Sequence, residues 1–185
     1  RSVLLGEISA WYPAAICVSG THGKTTTSSM TTQILLDAGL DPTCVIGGKL
    51  PAIHGGGRIG KSSAMVCEAC EFVDTFLKLH PDIAVILNID ADHLDYFKTM
   101  ENLIASFHKF ASMATRAVIA NGDDQNTLKA LKDLDKRIIT FGYSSINDYY
   151  PANIEHVDGV TISFDLCRDS EILTPIRLHV PGDHN

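Results

Sequence analysis

A glycine- and threonine-rich segment between an apolar run and a helical pattern constrains the fold more than any other feature of the sequence. Residues Ala14–Ser19 are an apolar run typical of a buried parallel strand, and the glycine-lysine-threonine segment Gly20–Thr27 follows directly. From Lys24 to Ala38 the pattern predicts a helix that ends before Gly39. Because loop N–H groups and a helix N-terminus then point into one concavity, this arrangement is the context that phosphate binding requires.

The side chains of this loop predict how phosphates would be held. Lys24 would reach the β- and γ-phosphates of a nucleotide, and the hydroxyl of Thr25 would ligate Mg²⁺. The match to the usual phosphate-loop pattern is partial, because that pattern has glycine at the position of Val18. The alternative interpretation is a glycine turn with an incidental lysine, which the order of glycine, lysine and threonine after a strand disfavours.

Apolar runs and helical patterns alternate along most of the chain and predict an α/β fold. Further strands are predicted at 43–46, 64–67, 83–87, 117–120 and 137–141, and further helices at 72–79, 100–113 and 125–131. The run Ile83–Leu87 is apolar throughout, so both of its faces should be covered. We therefore expect a mostly parallel sheet flanked by helices.

The same patterns predict helix faces and the less regular segments. In the first helix, Met30, Ile34, Leu35 and Ala38 are expected to lie on one side. In the helix 100–113, the side chains expected to face inward are Leu103, Ile104, Phe107 and Phe110. Residues Gly47–Gly60 are rich in glycine, and the stretch His54–Arg58 within them predicts a mobile surface loop, with a lid over a substrate as the less favoured alternative. After about Ala152 the alternation has period two, with strands at 160–164 and 176–180, and predicts a small antiparallel β extension at about 150–181.

Composition limits the classes of protein to consider. The 185 residues are 45% hydrophobic and 20% charged, which is enough for one well-packed α/β domain. The net charge of −7 offers no basic face for nucleic acid. No apolar run approaches the roughly 20 residues needed for membrane insertion. The five cysteines have no disulfide spacing pattern, so we expect a cytoplasmic protein.

Two further segments place polar side chains directly after predicted strands. Asn88–Asp95 follow the strand 83–87 and include His93, and Cys67–Glu71 end the strand 64–67. Because ligands collect at the carboxyl edge of an open parallel sheet, Glu68 is the acidic residue best placed to share a metal with Thr25. Mg²⁺ prefers oxygen ligands, so a histidine ligand would indicate tolerance of Mn²⁺.

Both segments also have purely structural interpretations. Asn88–Asp95 would serve equally well as a solvated, capped loop that leads into a helix. Cys67 and Cys70 have a spacing that suits zinc or a redox pair, but a structural zinc site needs four ligands and the sequence has no second cysteine pair. Cys67 is therefore interpreted as a small buried hydrophobic residue.

Four segments together resemble the central, ATP-binding domain of the Mur ligase family, which is similar to phosphate-loop NTPases. In chain order they are Gly20–Thr27, Glu68–Glu71, Asn88–Asp95 and Pro181–Asn185. Within the family, the loop with His22 resembles the members that join L-alanine to UDP-N-acetylmuramate. The resemblance implies a ligase of peptidoglycan precursor synthesis that transfers phosphoryl from ATP to a carboxylate and lets an amine attack the acyl phosphate.

The resemblance also implies roles for individual residues. The implied nucleotide-binding residues are Gly20, Thr21, His22, Gly23, Lys24, Thr25, Thr26, His184 and Asn185. Thr25 and Glu68 would bind one Mg²⁺ and His93 would help to bind a second metal, so Lys24, Glu68 and His93 are the expected catalytic residues. Cys70 stands where these ligases commonly have aspartate.

The domain organisation and the rival functions follow from the same resemblance. Residues 1–13 are expected to be a linker from an N-terminal domain and 14–185 the central domain, with a C-terminal domain beyond it. The piece alone should be inactive. The alternatives are a ligase similar to folylpolyglutamate synthase, which usually has asparagine at the position of His22, and a Mur-like nucleotide-binding module that does not ligate. A dehydrogenase is excluded, because the first strand lacks the glycine fingerprint and the acidic residue about 20 positions later.

Overall fold

A computed structural model describes residues 2–180, and these form two β-sheets and five α-helices. The α-helices are α1 (Ser2–Ser9), α2 (Lys24–Asp37), α3 (Leu94–Phe97), α4 (Met100–Ser112) and α5 (Gln125–Leu131). The strands of the large sheet are β1 (Ala14–Ser19), β2 (Thr43–Leu50), β3 (Gly55–Arg58), β4 (Ala64–Glu68), β5 (Ile83–Ile86), β6 (Ala117–Asn121) and β7 (Ile138–Phe141). The strands of the small sheet are β8 (Tyr150–His156), β9 (Ile162–Arg168) and β10 (Glu171–Leu178).

The large sheet confirms the predicted parallel architecture. Its strand order is β3-β2-β4-β1-β5-β6-β7, and every neighbouring pair is parallel except β2 and β3. β1 is central, with Cys17 opposite Cys67 of β4 on one side and Val18 opposite Val85 of β5 on the other. The chain crosses from one side of β1 to the other after β4, so the crevice at the carboxyl ends of β4, β1 and β5 is the topological switch point.

The main core lies between the sheet and α4. Leu103, Phe107 and Phe110 of α4 are buried, as their spacing predicts, and Ile104 packs partly buried against the same core. Phe76 completes this cluster, because its ring stacks on Phe110 at 4.8 Å and meets the edge of Phe107 at 5.2 Å. The aromatic cluster therefore holds α4 on the segment that links β4 to β5.

The apolar side of α2 is not its buried side. The buried residues of this helix are Ser28 and Thr32, whereas the side chain of Ile34 is 65% exposed and Leu35 is only partly buried. The hydroxyl of Ser28 is satisfied within the helix, because its Oγ donates to the carbonyl of Thr25 at 3.2 Å, whereas Oγ1 of Thr32 is buried and has no hydrogen-bond partner within the helix. The helix lies against β1, β2 and β4 through this small-residue face.

The glycine-rich segment 47–60 is also more ordered than expected. β2 continues to Leu50, and β3 returns antiparallel to it, so the segment is a hairpin rather than a mobile loop. Gly56 is required there, because a Cβ at this position would lie 2.6 Å from the carbonyl oxygen of Gly48. The predicted helix 72–79 is instead a 3₁₀ segment, Phe72–Lys78, in which Val73 and Asp74 have φ of +54°.

The small sheet confirms the predicted antiparallel extension. Its order is β10-β9-β8, and both pairings are antiparallel, each interrupted by a register shift. No helix within residues 2–180 is long and apolar enough to cross a membrane.

α1 packs on the domain. Leu5, Ile8 and Tyr12 lie against the main core, and Gly6 faces the carbonyl oxygen of Lys78. The backbone N–H of His80 also donates to Ser9 Oγ at 2.9 Å. That residues 1–13 act as a linker stays a prediction, but the described part of this segment is helical and bonded to the 72–80 region.

Gly6→Ala should destabilise the protein although alanine is the better helix former. In an isolated helix the change would stabilise by about 1 kcal/mol. In α1 the new Cβ would lie 2.0 Å from the carbonyl oxygen of Lys78, so one of the two elements must move. We expect a net loss of about 1–3 kcal/mol in the free energy of unfolding, measured by urea denaturation. Glu7→Ala, on the exposed side of α1, is the near-neutral control; equal midpoints for both variants would contradict the packing of α1.

The carboxylate of Asp123, just after β6, forms hydrogen bonds to the segment that follows β7. It accepts hydrogen bonds from the N–H of Tyr143 at 2.5 Å, the N–H of Ser144 at 3.2 Å and Nδ2 of Asn147 at 2.9 Å. Burial raises the pKa of Asp123, but the hydrogen bonds from Asn147, Ser144 and Tyr143 together outweigh burial and leave the pKa below its ordinary value.

Asp123→Ala should lower the free energy of unfolding at neutral pH by about 1 kcal/mol, since it removes these hydrogen bonds. Because the folded-state pKa is depressed, the carboxylate's contribution is complete above the unfolded pKa of about 3.9 and is lost as the pH falls through the folded value. The difference between variant and unaltered protein should therefore shrink in denaturation curves recorded below about pH 4. Asp135→Ala, at an exposed carboxylate, is the control. A difference that stays constant with pH would contradict the assignment.

Candidate functional site

Three loops meet at the carboxyl ends of β4, β1 and β5. The end of β1 is joined to both neighbouring segments by backbone hydrogen bonds: the N–H of Ala69 donates to the carbonyl of Val18 at 2.8 Å, and the N–H of Leu87 donates to the carbonyl of Ser19 at 3.0 Å. These contacts place the phosphate loop between the Cys67–Glu71 segment and the segment that follows β5. The three sequence segments predicted to form a site therefore lie at one edge of the sheet.

Two glycines allow the phosphate loop to lie against β5. Gly20 and Gly23 have φ of +139° and +85°, in the region that favours glycine. A Cβ on Gly20 would also lie 3.0 Å from Cβ of Leu87 and 3.2 Å from the backbone nitrogen of Asn88. The loop could not take this path with a side chain at position 20.

Asn88 holds the first half of the phosphate loop. Its Oδ1 accepts from the N–H of His22 at 2.8 Å, its Nδ2 donates to the carbonyl of His22 at 3.1 Å, and its own carbonyl accepts from the N–H of Thr21 at 3.0 Å. Thr21 Oγ1 accepts from the N–H of Asp90 at 2.9 Å. The N–H groups of Thr21 and His22 are thus engaged with the loop after β5, and this leaves the N–H groups of residues 23–26 to face a ligand.

The N-terminus of α2 is open to an anion. Gly23 is its N-cap residue, and within the described residues no side chain caps the helix and no acidic residue stands in its first turn. The first N–H groups of a helix have no intrahelical acceptor and carry partial positive charge. They face a cavity of about 280 Å³ lined by Thr21, His22, Gly23, Lys24, Thr25 and Thr26.

Lys24 is bonded to the loop and to a buried carboxylate. Its Nζ donates to the carbonyls of Gly20 at 2.5 Å and Thr21 at 3.2 Å, and it lies 3.2 and 3.1 Å from Oε1 and Oε2 of Glu71. The side chain of Glu71 is only 2% exposed. Sequence reasoning noted Glu71 but gave it no role, because nothing in the Cys67–Glu71 pattern distinguishes a buried glutamate from a solvated one.

Thr25 and Glu68 lie against the same short stretch of β2. Oε1 of Glu68 accepts from the N–H of Gly47 at 2.7 Å and from Ser28 Oγ at 3.4 Å. A Cβ on Gly48 would lie 2.8 Å from Cγ2 of Thr25, so the helix approaches the strand closely here. The two side chains predicted to share a metal therefore lie beside consecutive residues of one strand, Glu68 beside Gly47 and Thr25 beside Gly48.

His93 approaches Glu71. Its Nε2 lies 3.9 Å from Oε1 of Glu71, and its ring centroid lies 4.7 Å from that of Phe72. The backbone of His93 has φ of +54°, and its N–H donates to Oδ1 of Asp92 at 2.7 Å. Among residues 2–180, no group of three or more His, Cys, Asp or Glu side chains is arranged to hold a metal by itself.

A hydrogen-bonded cluster next to His93 supports this loop. Asp74 accepts from the hydroxyl of Tyr96 at 2.8 Å and from the hydroxyl of Ser106 in α4. The hydrogen bond to Asp74 raises the pKa of Tyr96 above its usual value, so the phenol stays a donor. These bonds tie the 3₁₀ segment with its left-handed Asp74 to α3 and α4.

The remaining predicted residues are less constrained. The side chain of His22 is 70% exposed, and its Nε2 lies 3.6 Å from Oδ2 of Asp90. His184 and Asn185, predicted to lie against adenine, are outside the described residues. Cys67 is buried with its Sγ 3.5 Å from that of Cys17, and this hydrogen bond together with burial raises the pKa of the Cys17 thiol well above its usual value.

The sequence is similar to those of known ligases. It matches the family model described as the Mur ligase middle domain over residues 18–185. The UDP-N-acetylmuramate–L-alanine ligase of Acetivibrio thermocellus is 50% identical over 188 residues, and that of Caldanaerobacter subterraneus subsp. tengcongensis is 44% identical over 187. Both alignments cover 100% of this chain but only 40% and 41% of those proteins, so the chain spans about two fifths of their length.

Solved structures agree with this relationship. A Neisseria meningitides structure described as UDP-N-acetylmuramate:L-alanyl-γ-D-glutamyl-meso-diaminopimelate ligase has a TM-score of 0.87 and 26% identity, covering 99% of this chain and 60% of that one. The UDP-N-acetylmuramate–alanine ligase of Thermotoga maritima has a TM-score of 0.83 over 98% of this chain and 40% of its own, and at 24% identity it shows the fold alone. The chain therefore belongs to the Mur ligase family, whose middle domain it matches over nearly its whole length.

Proposed function

We propose that this chain is the ATP-binding part of a ligase of peptidoglycan precursor synthesis that joins L-alanine to UDP-N-acetylmuramate. The curated relatives that are 50% and 44% identical to it carry that name. The observation that carries the proposal is the uncapped N-terminus of α2 with Lys24 beside it, facing one cavity at the switch point of the sheet. This arrangement suits a triphosphate in a chain whose net charge of −7 gives no general attraction for anions.

The chemistry of the proposed reaction needs positioning and charge neutralisation. The γ-phosphoryl group of ATP passes to the lactoyl carboxylate of the nucleotide sugar, giving ADP and an acyl phosphate. The amine of L-alanine then attacks the acyl carbon, and inorganic phosphate leaves. Lys24 and the N–H groups of residues 23–26 would hold the phosphates and stabilise the loose transition state, so no protein nucleophile is required.

The residues near the phosphate loop fit a magnesium ion that accompanies the nucleotide. The donors are oxygens, as Mg²⁺ prefers: the hydroxyl of Thr25 and the carboxylate of Glu68, oriented by Gly47 and Ser28. Few protein ligands are needed, because nucleotide-bound Mg²⁺ keeps waters and phosphate oxygens. When bound, the ion would neutralise charge on the phosphates. His93 is proposed to help bind a second ion, Mg²⁺ or Mn²⁺, on the Glu71 side of the site.

The partners and the location of the protein are part of the same proposal. Because the relatives are longer than this chain, we propose that an N-terminal domain binds the nucleotide sugar and a C-terminal domain binds the amino acid. All five cysteines lie in the described part of the chain and are free thiols, which supports a reducing, cytoplasmic location.

Replacing Lys24 should abolish nucleotide binding and activity. Lys24→Ala removes the side-chain charge that faces the phosphates, so the longer enzyme carrying this domain should lose at least about a hundredfold in kcat/KM. Isothermal titration of the 185-residue chain with ATP and Mg²⁺ should give weak binding that this variant loses. Lys61→Ala, far along the chain from the loop, is the matched control. An unchanged rate for Lys24→Ala would mean that the loop does not hold the phosphates.

A substrate panel tests the acceptor and the amine. With the longer enzyme, ADP release should require UDP-N-acetylmuramate and should be fastest with L-alanine among amino acids and short peptides. Release with a folate acceptor would instead support the folylpolyglutamate synthase alternative, and release with a peptide but not with alanine would indicate a peptide ligase. The 185-residue chain alone should release no alanine-dependent ADP. Turnover by this piece would contradict the proposed need for the other domains.

A further inference from the structure

The side-chain ammonium of the phosphate-loop lysine already has hydrogen-bond acceptors within the protein. Lys24 Nζ contacts both carboxylate oxygens of Glu71, at 3.1 and 3.2 Å, and also donates to the carbonyls of Gly20 and Thr21. An ammonium group has three N–H donors, so each of them has an acceptor within the chain. The two side chains are 17% and 2% exposed, which places the ion pair beneath the loop rather than in solvent.

The two glutamates at the end of β4 differ in what they face. Glu68 accepts from the N–H of Gly47 and from Ser28 Oγ, and it lies on the β2 side of the loop. Glu71 faces Lys24, with His93 Nε2 at 3.9 Å as its second polar neighbour. Two carboxylates only three positions apart in the sequence therefore have separate partners.

A buried carboxylate in this position opposes the binding of a triphosphate. It repels phosphate oxygens, and at this depth the repulsion is weakly screened by solvent. It also holds the Lys24 ammonium that the phosphates need, and an N–H already donated to Glu71 cannot be donated to a phosphate at the same time. Nucleotide binding must therefore break one charge-assisted contact for each one that it makes with Lys24.

We propose that Glu71 is a positioning residue that acts through Lys24. It holds the ammonium beneath the phosphate loop when no nucleotide is bound. When a nucleotide binds, the ammonium leaves the Glu71 carboxylate and donates to phosphate oxygens instead; this change of partner is called the exchange below. The inference rests on the proposed nucleotide-binding function and adds to it: Glu71 sets the affinity for the triphosphate without contacting it. Glu68, by contrast, has no part in this exchange.

Titration with metal-free ligand tests the exchange directly. Isothermal titration of the 185-residue chain with ATP, and separately with inorganic tripolyphosphate, is run in EDTA so that metal binding by Glu68 or His93 does not contribute. Glu71→Gln should raise the affinity for both ligands by about tenfold, which corresponds to about 1.4 kcal/mol. Glu7→Gln, on the exposed side of α1, removes the same charge, and it should leave the affinity close to that of the unaltered chain.

A double-mutant cycle separates the exchange from a general effect of charge or stability. In a Lys24→Met background, which is expected to bind neither ligand, Glu71→Gln should not restore binding, because the residue through which it acts is gone. Binding restored by Glu71→Gln in that background would overturn the proposal, as would an equal gain from Glu7→Gln. Circular dichroism checks that each variant is folded. If Glu71→Gln does not fold, Glu71→Asp keeps the charge and retracts the carboxylate by one methylene; it should give a smaller gain, and a loss of affinity would overturn the proposal.

The two proposals fail in different ways. If the unaltered chain bound neither ATP nor tripolyphosphate, both the proposed nucleotide site and the proposed exchange would be wrong. If the unaltered chain bound both ligands and Lys24→Met lost them, but Glu71→Gln bound no more tightly, the nucleotide site would stand and the exchange alone would be wrong.

Discussion

The position of β1 between β4 and β5 is the constraint on which the rest of the site depends. Parallel pairing on both sides brings the carboxyl ends of these three strands to one edge of the sheet, and the chain crosses from one side of β1 to the other after β4. The loops that leave these ends are bonded to one another through Val18, Ser19 and Asn88. The lysine, carboxylates and histidine of the site therefore come from distant parts of the sequence but face one crevice.

Positive and negative groups oppose each other within this crevice. The N-terminus of α2 and Lys24 supply positive potential, while Glu71 supplies a buried negative charge against it. Burying that carboxylate without a partner would be costly, so the ion pair with Lys24 stabilises it in place. At the proposed nucleotide site, specific backbone N–H donors would attract an anion, which the overall charge of −7 would not do.

Sequence patterns predicted a segment well where burial alone decided which residues it contains. They predicted it less well where close backbone packing also limited the size of the side chains. The apolar strand Ile83–Ile86 and the helix with Phe107 and Phe110 were predicted well, because burial alone decides their periodicity. The buried side of α2 could not be predicted from its apolar residues, since close approach to β2 and β4 favours Ser28 and Thr32 over the larger Ile34. In 47–60, glycine was interpreted as flexibility, whereas close backbone packing in a hairpin required it.

The sequence by itself determined the order of strands and helices, the phosphate loop with Lys24 and Thr25, and the segments from which the other site residues come. These follow from local spacing, because glycine conformation, helix starts and buried strands each leave a short-range pattern. Only the tertiary structure decided the pairing of those residues: Lys24 with Glu71, His93 with Glu71, and Glu68 with Gly47. Such pairs depend on which strands lie side by side and on which carboxylate is shielded from water, and neither property is encoded in the spacing of residues along the chain.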